Sequence, residues 1–260
     1  MKRSWNYPDQ TRAMIKNFKL TIEYDGTGFS GWQRQADRPT IQGALEQVLS
    51  RILNQPVTLA GSGRTDAGVH ALGQVASFFA DTNMDPRVLQ KGVNSLMKLP
   101  IVLTECILVP DNFHARYSAV SKEYHYHILN REVPCAVGRN YIWHIHTPLD
   151  TTAMNLCCTL LCGTHDFKSF ENTGAPRRST VRTVFAAQVN EQSGSRLVFR
   201  ICADGFLKNM VRNIAGSLVD AGRHKITVKD FESILSAKDR SLAGATAPAR
   251  GLFLKQVNYV

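Results

Sequence analysis

Apolar and polar residues alternate from Phe18 to Tyr24 (FKLTIEY), the period of a half-buried strand. Thr40 then sits where an N-cap belongs, ahead of Ile41, Ala44, Leu45, Val48, Leu49 and Ile52, which share one face of a helix. Strand-like runs follow at Val57 to Ala60 and Gln74 to Ala80. Asp85-Pro86 pairs a cap with an N1 proline and opens a second helix that runs to about Met97. Ile101 to Val109 closes the set as a strand. The order strand, helix, strand, strand, helix, strand is the ferredoxin-like split βαβ arrangement.

The remainder repeats this pattern with one extra strand and one extra helix. Lys122 to Asn130 and Tyr141 to His146 are strands, and a helix runs from about Asp150 to Leu161. Val181 to Asn190 and Arg196 to Ala203 flank a turn at Gln192-Ser193-Gly194. Leu207, Met210, Val211, Ile214 and Leu218 recur at helical spacing between Phe206 and Ala221. A short helix near Lys229 to Ala237 precedes a last strand, Leu252 to Tyr259. The pattern predicts an α+β protein: a polar tail over 1–16, an N-terminal α+β domain over 17–113 and a C-terminal α+β domain over 114–260. Both domains have mainly antiparallel sheets.

Composition narrows the class. In 260 residues, 43% are hydrophobic and 20% charged, a globular balance that excludes a largely disordered chain. No run approaches the roughly 18 apolar residues of a membrane span. The segment Met1 to Asn17 is basic without an apolar core, so it does not read as a secretory signal. Six irregularly spaced cysteines make no disulfide framework; they read as reduced thiols of a cytoplasmic protein. The net charge of +10 is uneven: 12 basic and 10 acidic residues precede His114, and 19 basic and 11 acidic residues make up the rest. A basic C-terminal half suits an anionic partner such as nucleic acid, with Lys168, Arg177, Arg178 and Arg182 as candidate phosphate contacts; a soluble basic protein is the plainer reading.

The segment most suggestive of chemistry is Gly61-Ser-Gly-Arg64-Thr65-Asp66-Ala-Gly68-Val-His70, between two strands. Its glycines allow close backbone approach around a carboxylate and a guanidinium two residues apart. A turn aspartate beside a surface arginine is the ordinary alternative. With no Gly-Lys-Ser/Thr ending and no following helix, it is not a phosphate loop. Cys157, Cys158, Cys162 and His165 cluster in sequence but contain no Cys-x-x-Cys pair, and His125/His127 and His144/His146 suit half-exposed strand positions. No metal and no nucleotide cofactor is expected. Tyr124 and Tyr126 share one strand face, where an aromatic either packs across the sheet or stacks on an unpaired base. Arg212 lies in an apolar helix; buried there, it needs a carboxylate partner.

Seven blocks, in order, resemble the TruA family of tRNA pseudouridine synthases from Phe18 to Tyr259. They are Tyr24-Asp-Gly-Thr-Gly-Phe-Ser-Gly-Trp-Gln-Arg-Gln35, Gly63-Arg-Thr-Asp-Ala-Gly-Val-His70, Asp111-Asn-Phe-His-Ala-Arg116, Lys122-Glu-Tyr-His-Tyr126, Gly163-Thr-His-Asp-Phe167, Asn209-Met-Val-Arg-Asn-Ile-Ala-Gly216 and Ala245-Thr-Ala-Pro-Ala-Arg-Gly-Leu252. Ser62 and Ala71 depart from the alanine and glycine common at those places, away from the charged positions. The resemblance implies the pseudouridine synthase fold, with the two domains flanking a central active-site cleft, and an isomerase acting on the tRNA anticodon stem-loop (tRNA positions 38–40), without cofactor, as a homodimer. By motif position Asp66 corresponds to the catalytic aspartate and Arg64 to the arginine that displaces the target nucleotide. Tyr124 corresponds to the tyrosine stacked on the base, Arg212 to the carboxylate's partner, and Leu252 to an apolar residue backing the uracil. A non-catalytic structured-RNA-binding protein and a metal-dependent hydrolase are the contrasting readings.

Overall fold

Phe18, Leu20, Ile22 and Tyr24 are buried in alternation along β1 (Ile15–Tyr24), as the sequence pattern requires. The computed structural model describes residues 15–172, 174 and 179–260. Helix α1 (Ile41–Leu53) begins where Thr40 accepts from the Gly43 N–H, and α2 (Pro86–Leu96) begins where Asp85 accepts from Arg87 N–H. Between them lie the two-residue strand β2 (Ala60–Gly61) and the long β3 (His70–Asp81); β4 (Ile101–Val109) follows α2. The strand expected at Val57 to Ala60 thus shrinks to Ala60–Gly61, because the Leu59 N–H is taken by the Glu46 carboxylate instead of a neighbouring strand.

The second half runs β5 (Ala119–Asn130), β6 (Trp143–Ile145), α3 (Thr151–Leu161), β7 (Gly163–Asp166), β8 (Val181–Gln192), β9 (Arg196–Ala203), α4 (Met210–Gly222), α5 (Val228–Ala237) and β10 (Leu252–Tyr259). Strand β7 was not expected; it is a short edge strand pairing only with β8. Helix α4 starts at Met210, four residues later than the periodicity suggests, because Asn209 takes a left-handed conformation with φ 60°.

Among the described residues all strands join one ten-stranded sheet along the path β4-β1-β3-β10-β5-β9-β8-β7, with β2 on β3 and β6 on β5. Within each half the order is that of a ferredoxin-like unit: β4-β1-β3-β2 and β10-β5-β9-β8. The final strand links the halves, pairing parallel with β3 at His70 and Ala71 and antiparallel with β5. Pairing runs in register from Tyr24 through Ala71, Leu254 and Tyr124 to Ile201, so these side chains share one face of five adjacent strands. That buried row crosses the sheet where the two halves meet.

Candidate active site

The loop between β2 and β3 carries Arg64 and Asp66 and is tied down at nearly every residue. The Ser62 N–H donates to Val75 O (2.7 Å), and Gln74 accepts from the Ser62 hydroxyl (2.7 Å) while donating to Gly63 O (3.0 Å). Lys122, from β5, donates to Ser62 O at 2.6 Å. The Thr65 hydroxyl meets the Tyr24 hydroxyl at 2.7 Å, and Thr65 O accepts from Trp32 N–H at 3.0 Å. The segment Gly26–Trp32 lies so close behind the loop that a Cβ on Gly31 would stand 2.6 Å from Thr65 O. The aromatic and glycine residues of the first sequence block therefore brace the catalytic-loop candidate.

Asp66 is 34% exposed at its side chain, enough for a substrate to reach it. Arg212 Nη1 stands 3.4 Å from its Oδ2, and Arg212 Nε donates to Ala247 O at 2.8 Å, which fixes the guanidinium. Asn209 satisfies both its neighbours only with its amide nitrogen toward Asp66 (3.2 Å from Oδ1) and its oxygen 2.8 Å from Asn172 Nδ2. Asp66 thus meets the start of α4, where Asn209 is the residue before the helix and Arg212 lies in its first turn.

Tyr124 is buried on β5, 8% exposed, with its ring edge-on to Phe206 at 5.0 Å. Burial, reinforced by Tyr24 and Asp66, pushes its phenol well above the ordinary range, so the hydroxyl stays protonated at neutral pH. Leu252 and Leu254 are buried on the same face of β10, beside Tyr126 and Tyr124. A Cβ on Gly251 would stand 2.8 Å from the Tyr126 ring, so the approach to Leu252 admits no larger residue. Arg64, on the same loop as Asp66, is exposed.

The basic residues are dispersed. Lys168 pairs with the Glu171 carboxylate at 2.9 Å. Arg182 lies against Gly205, next to Phe206, and donates to the Ser179 and Val181 carbonyls. Arg177 and Arg178 fall outside the described residues. Cys157 and Cys158 are buried in the core, and His165 meets the Cys162 carbonyl oxygen (2.9 Å). Among the described residues no three His, Cys, Asp or Glu side chains group as a metal site, and no helix is long and apolar enough to cross a membrane.

Three participants carry no individual signal in the sequence, although Lys122 and Asn209 each open one of the seven blocks. Lys122 looks like one more polar residue of an alternating strand, and Asn172 has no motif of its own. Asn209 falls inside an apparently continuous helical period; the one clue is that asparagine tolerates the left-handed conformation that delays a helix start.

The tRNA pseudouridine synthase family matches residues 20–118 and 157–260. A tRNA pseudouridine synthase A of Desulfotalea psychrophila is 43% identical over 251 residues, spanning 94% of this chain and all of that protein. One from a Thermoanaerobacter species is 42% identical over 245 residues, 94% of this chain and all of its own. One from Moorella thermoacetica is 43% identical over 243 residues, 93% and 98% of the two chains. This chain belongs to the TruA family of tRNA pseudouridine synthases.

Proposed function

We propose that the protein isomerises uridine to pseudouridine in the anticodon stem-loop of tRNA, with Asp66 as the catalytic carboxylate. The observation that carries this reading is one reachable carboxylate held by two donors, Arg212 and Asn209, on a braced loop between the halves. The reaction breaks the C1′–N1 bond, turns the uracil and rejoins it through C5. Bonds lost and gained are alike in kind, so no triphosphate is consumed. Attack on C1′ and removal of the C2′ proton both use the Asp66 carboxylate, which Arg212 and Asn209 hold in place.

A stacked uridine must leave the stem, at a cost of a few kcal/mol. Arg64, exposed two residues before Asp66, fills the vacated space. Tyr124 stacks on the displaced uracil, returning about 1–3 kcal/mol, with Leu252 backing it. Tyr124 is covered by Phe206, so the turn before α4 must yield as the base enters. Arg182, beside that turn, and the net positive charge of the C-terminal half attract the phosphate backbone. Lys168 contributes less, since Glu171 already neutralises it. We infer a cytoplasmic homodimer, long tRNA being able to touch both protomers.

The test is release of tritium from an anticodon stem-loop labelled at uracil C5. The wild type is expected to release it, and Asp66→Asn to lose turnover by about three orders of magnitude or more while still binding the RNA. Turnover retained by Asp66→Asn removes the assignment of Asp66. Binding without release by the wild type would instead describe a structured-RNA-binding protein.

A further inference from the structure

A line of side chains runs from a partly buried arginine to Asp66, and its polarity is set at both ends. Arg240, in the turn after α5, donates from Nε to Asn172 Oδ1 at 3.0 Å. Asn213 of α4 donates to the same oxygen at 2.9 Å. With that oxygen engaged by two donors, the Asn172 nitrogen faces Asn209 and donates to its side-chain oxygen at 2.8 Å. The Asn209 nitrogen is then left for the carboxylate of Asp66, within hydrogen-bonding reach of both oxygens. A guanidinium can only donate and a carboxylate only accept, so each amide between them has one satisfied orientation. Arg240 is itself held, by Asn213 Oδ1 (3.0 Å), Thr246 Oγ1 (3.1 Å) and Ala243 O (3.1 Å).

The backbone points the same way. Asparagine is among the strongest N-caps, yet Asn209 makes no capping hydrogen bond to α4. Its left-handed conformation, φ 60° and ψ 7°, turns the amide to Asp66 instead. The helix forgoes a cap, and the carboxylate gains a second donor.

We propose that Asn209 is a positioning residue that, with Arg212, fixes the Asp66 carboxylate toward the ribose, and that Asn172, Asn213 and Arg240 hold its amide in the donating orientation. This rests on the reading of Asp66 as the catalytic carboxylate. Arg212 supplies charge; Asn209 supplies direction, restraining rotation of the carboxylate about its own axis.

The test compares Asn209→Gly and Asn209→Asp in single- and multiple-turnover assays on the labelled stem-loop. Glycine and aspartate both tolerate the left-handed backbone and both serve as N-caps. If Asn209 only shapes the start of α4, both variants keep the wild-type kcat, and that result overturns the proposal. If it positions Asp66, Asn209→Gly loses about 10- to 100-fold in kcat with KM within about twofold, the worth of a hydrogen bond to a charged group. Asn209→Asp falls further, since a second carboxylate then faces the first. Asn172→Ala is expected to lower kcat in the wild type and to add nothing in the Asn209→Gly background, because both act through one amide. Should Asn209→Gly fail to fold, Asn172→Ala decides alone: a lower kcat at unchanged KM supports the line of bonds, and an unchanged kcat overturns it. Wild-type turnover with an inert Asp66→Asn and a fully active Asn209→Gly overturns this inference and leaves the function standing. A wild type without tritium release overturns both.

Discussion

Lys122 is a half-buried cation set against a carbonyl, the Ser62 oxygen, at the root of the catalytic-loop candidate. Burial, with Arg116 and Arg182 adding to it, brings its pKa down to about 8. Below that pH the ammonium gives the loop a charge-assisted hydrogen bond; above it a neutral amine gives a weaker one. Losing about 1 kcal/mol in this way is worth roughly fivefold in rate. Turnover is therefore expected to decline through about pH 8, and Lys122→Arg, charged throughout, should move that decline upward by a unit or more. A pH–rate profile of both proteins with one stem-loop checks this; coincident alkaline limbs would dissociate Lys122 from the loop. At this scale the sequence was legible only in part. Arg64, Asp66, Tyr124 and Arg212 stand inside recognisable blocks. Lys122 opens a block too, but its contact with Ser62 lies 60 residues away, and Arg240 reaches Asn213 and Asn172 over 27 and 68 residues; separation of that kind leaves no local pattern.

Helix α4 positions the site by packing backbone against backbone. A Cβ on Gly216 would stand 1.9 Å from Ala245 O, and the Gly244 N–H donates to the Ser217 hydroxyl at 2.9 Å. The same contact ties Arg212 to Ala247 by two hydrogen bonds, through Nε and through its own carbonyl. Gly216→Ala must push the 244–247 segment away, an overpacking of about 1–3 kcal/mol or more. Its melting temperature should fall by several degrees and kcat with it, as Arg212 shifts from Asp66. Gly92 of α2 is the contrast: a Cβ there would meet only the Ile52 side-chain tip at 3.5 Å, so Gly92→Ala should hold or raise stability by about 0.4–1 kcal/mol. Thermal melts of the two variants decide; equal effects would mean that α4 is not in tight contact. Periodicity located α4 because Leu207, Met210, Val211, Ile214 and Leu218 keep helical spacing. It could not place the helix start, since the turn at 206–209 keeps that spacing without being helical. Nor could it expose β10 as the link between halves, because strand pairing across the chain depends on register and not on local pattern.

Across the whole molecule, the face of the sheet opposite Tyr124 is also built as a row. Pairing runs from His70 through Phe253 and His125 to Arg200, with the His70 and Phe253 rings stacked at 4.7 Å and His127 edge-on to Phe253 at 5.0 Å. Burial first, and then His125, Arg196, Arg200 and His70, hold the pKa of His127 down to about 4; burial also lowers that of His70, despite the Asp25 carboxylate 3.0 Å away. An unfolded chain protonates histidine at about 6.5. Between that pH and about 4 the unfolded state therefore binds more protons than the folded one, and stability falls as pH falls. The His127 contribution is complete above pH 6.5 and amounts to at most about 3 kcal/mol by pH 4, with His70 acting in the same direction. Since β10 joins the two halves through this row, acid is expected to act on the sheet as a whole and to unfold both halves together. His127→Phe keeps an aromatic ring against Phe253 and removes the titration. Urea unfolding from pH 7 to pH 4 should then show a shallower loss of stability for His127→Phe than for the wild type. Parallel losses would mean that His127 takes up its proton in the folded protein as readily as in the unfolded chain.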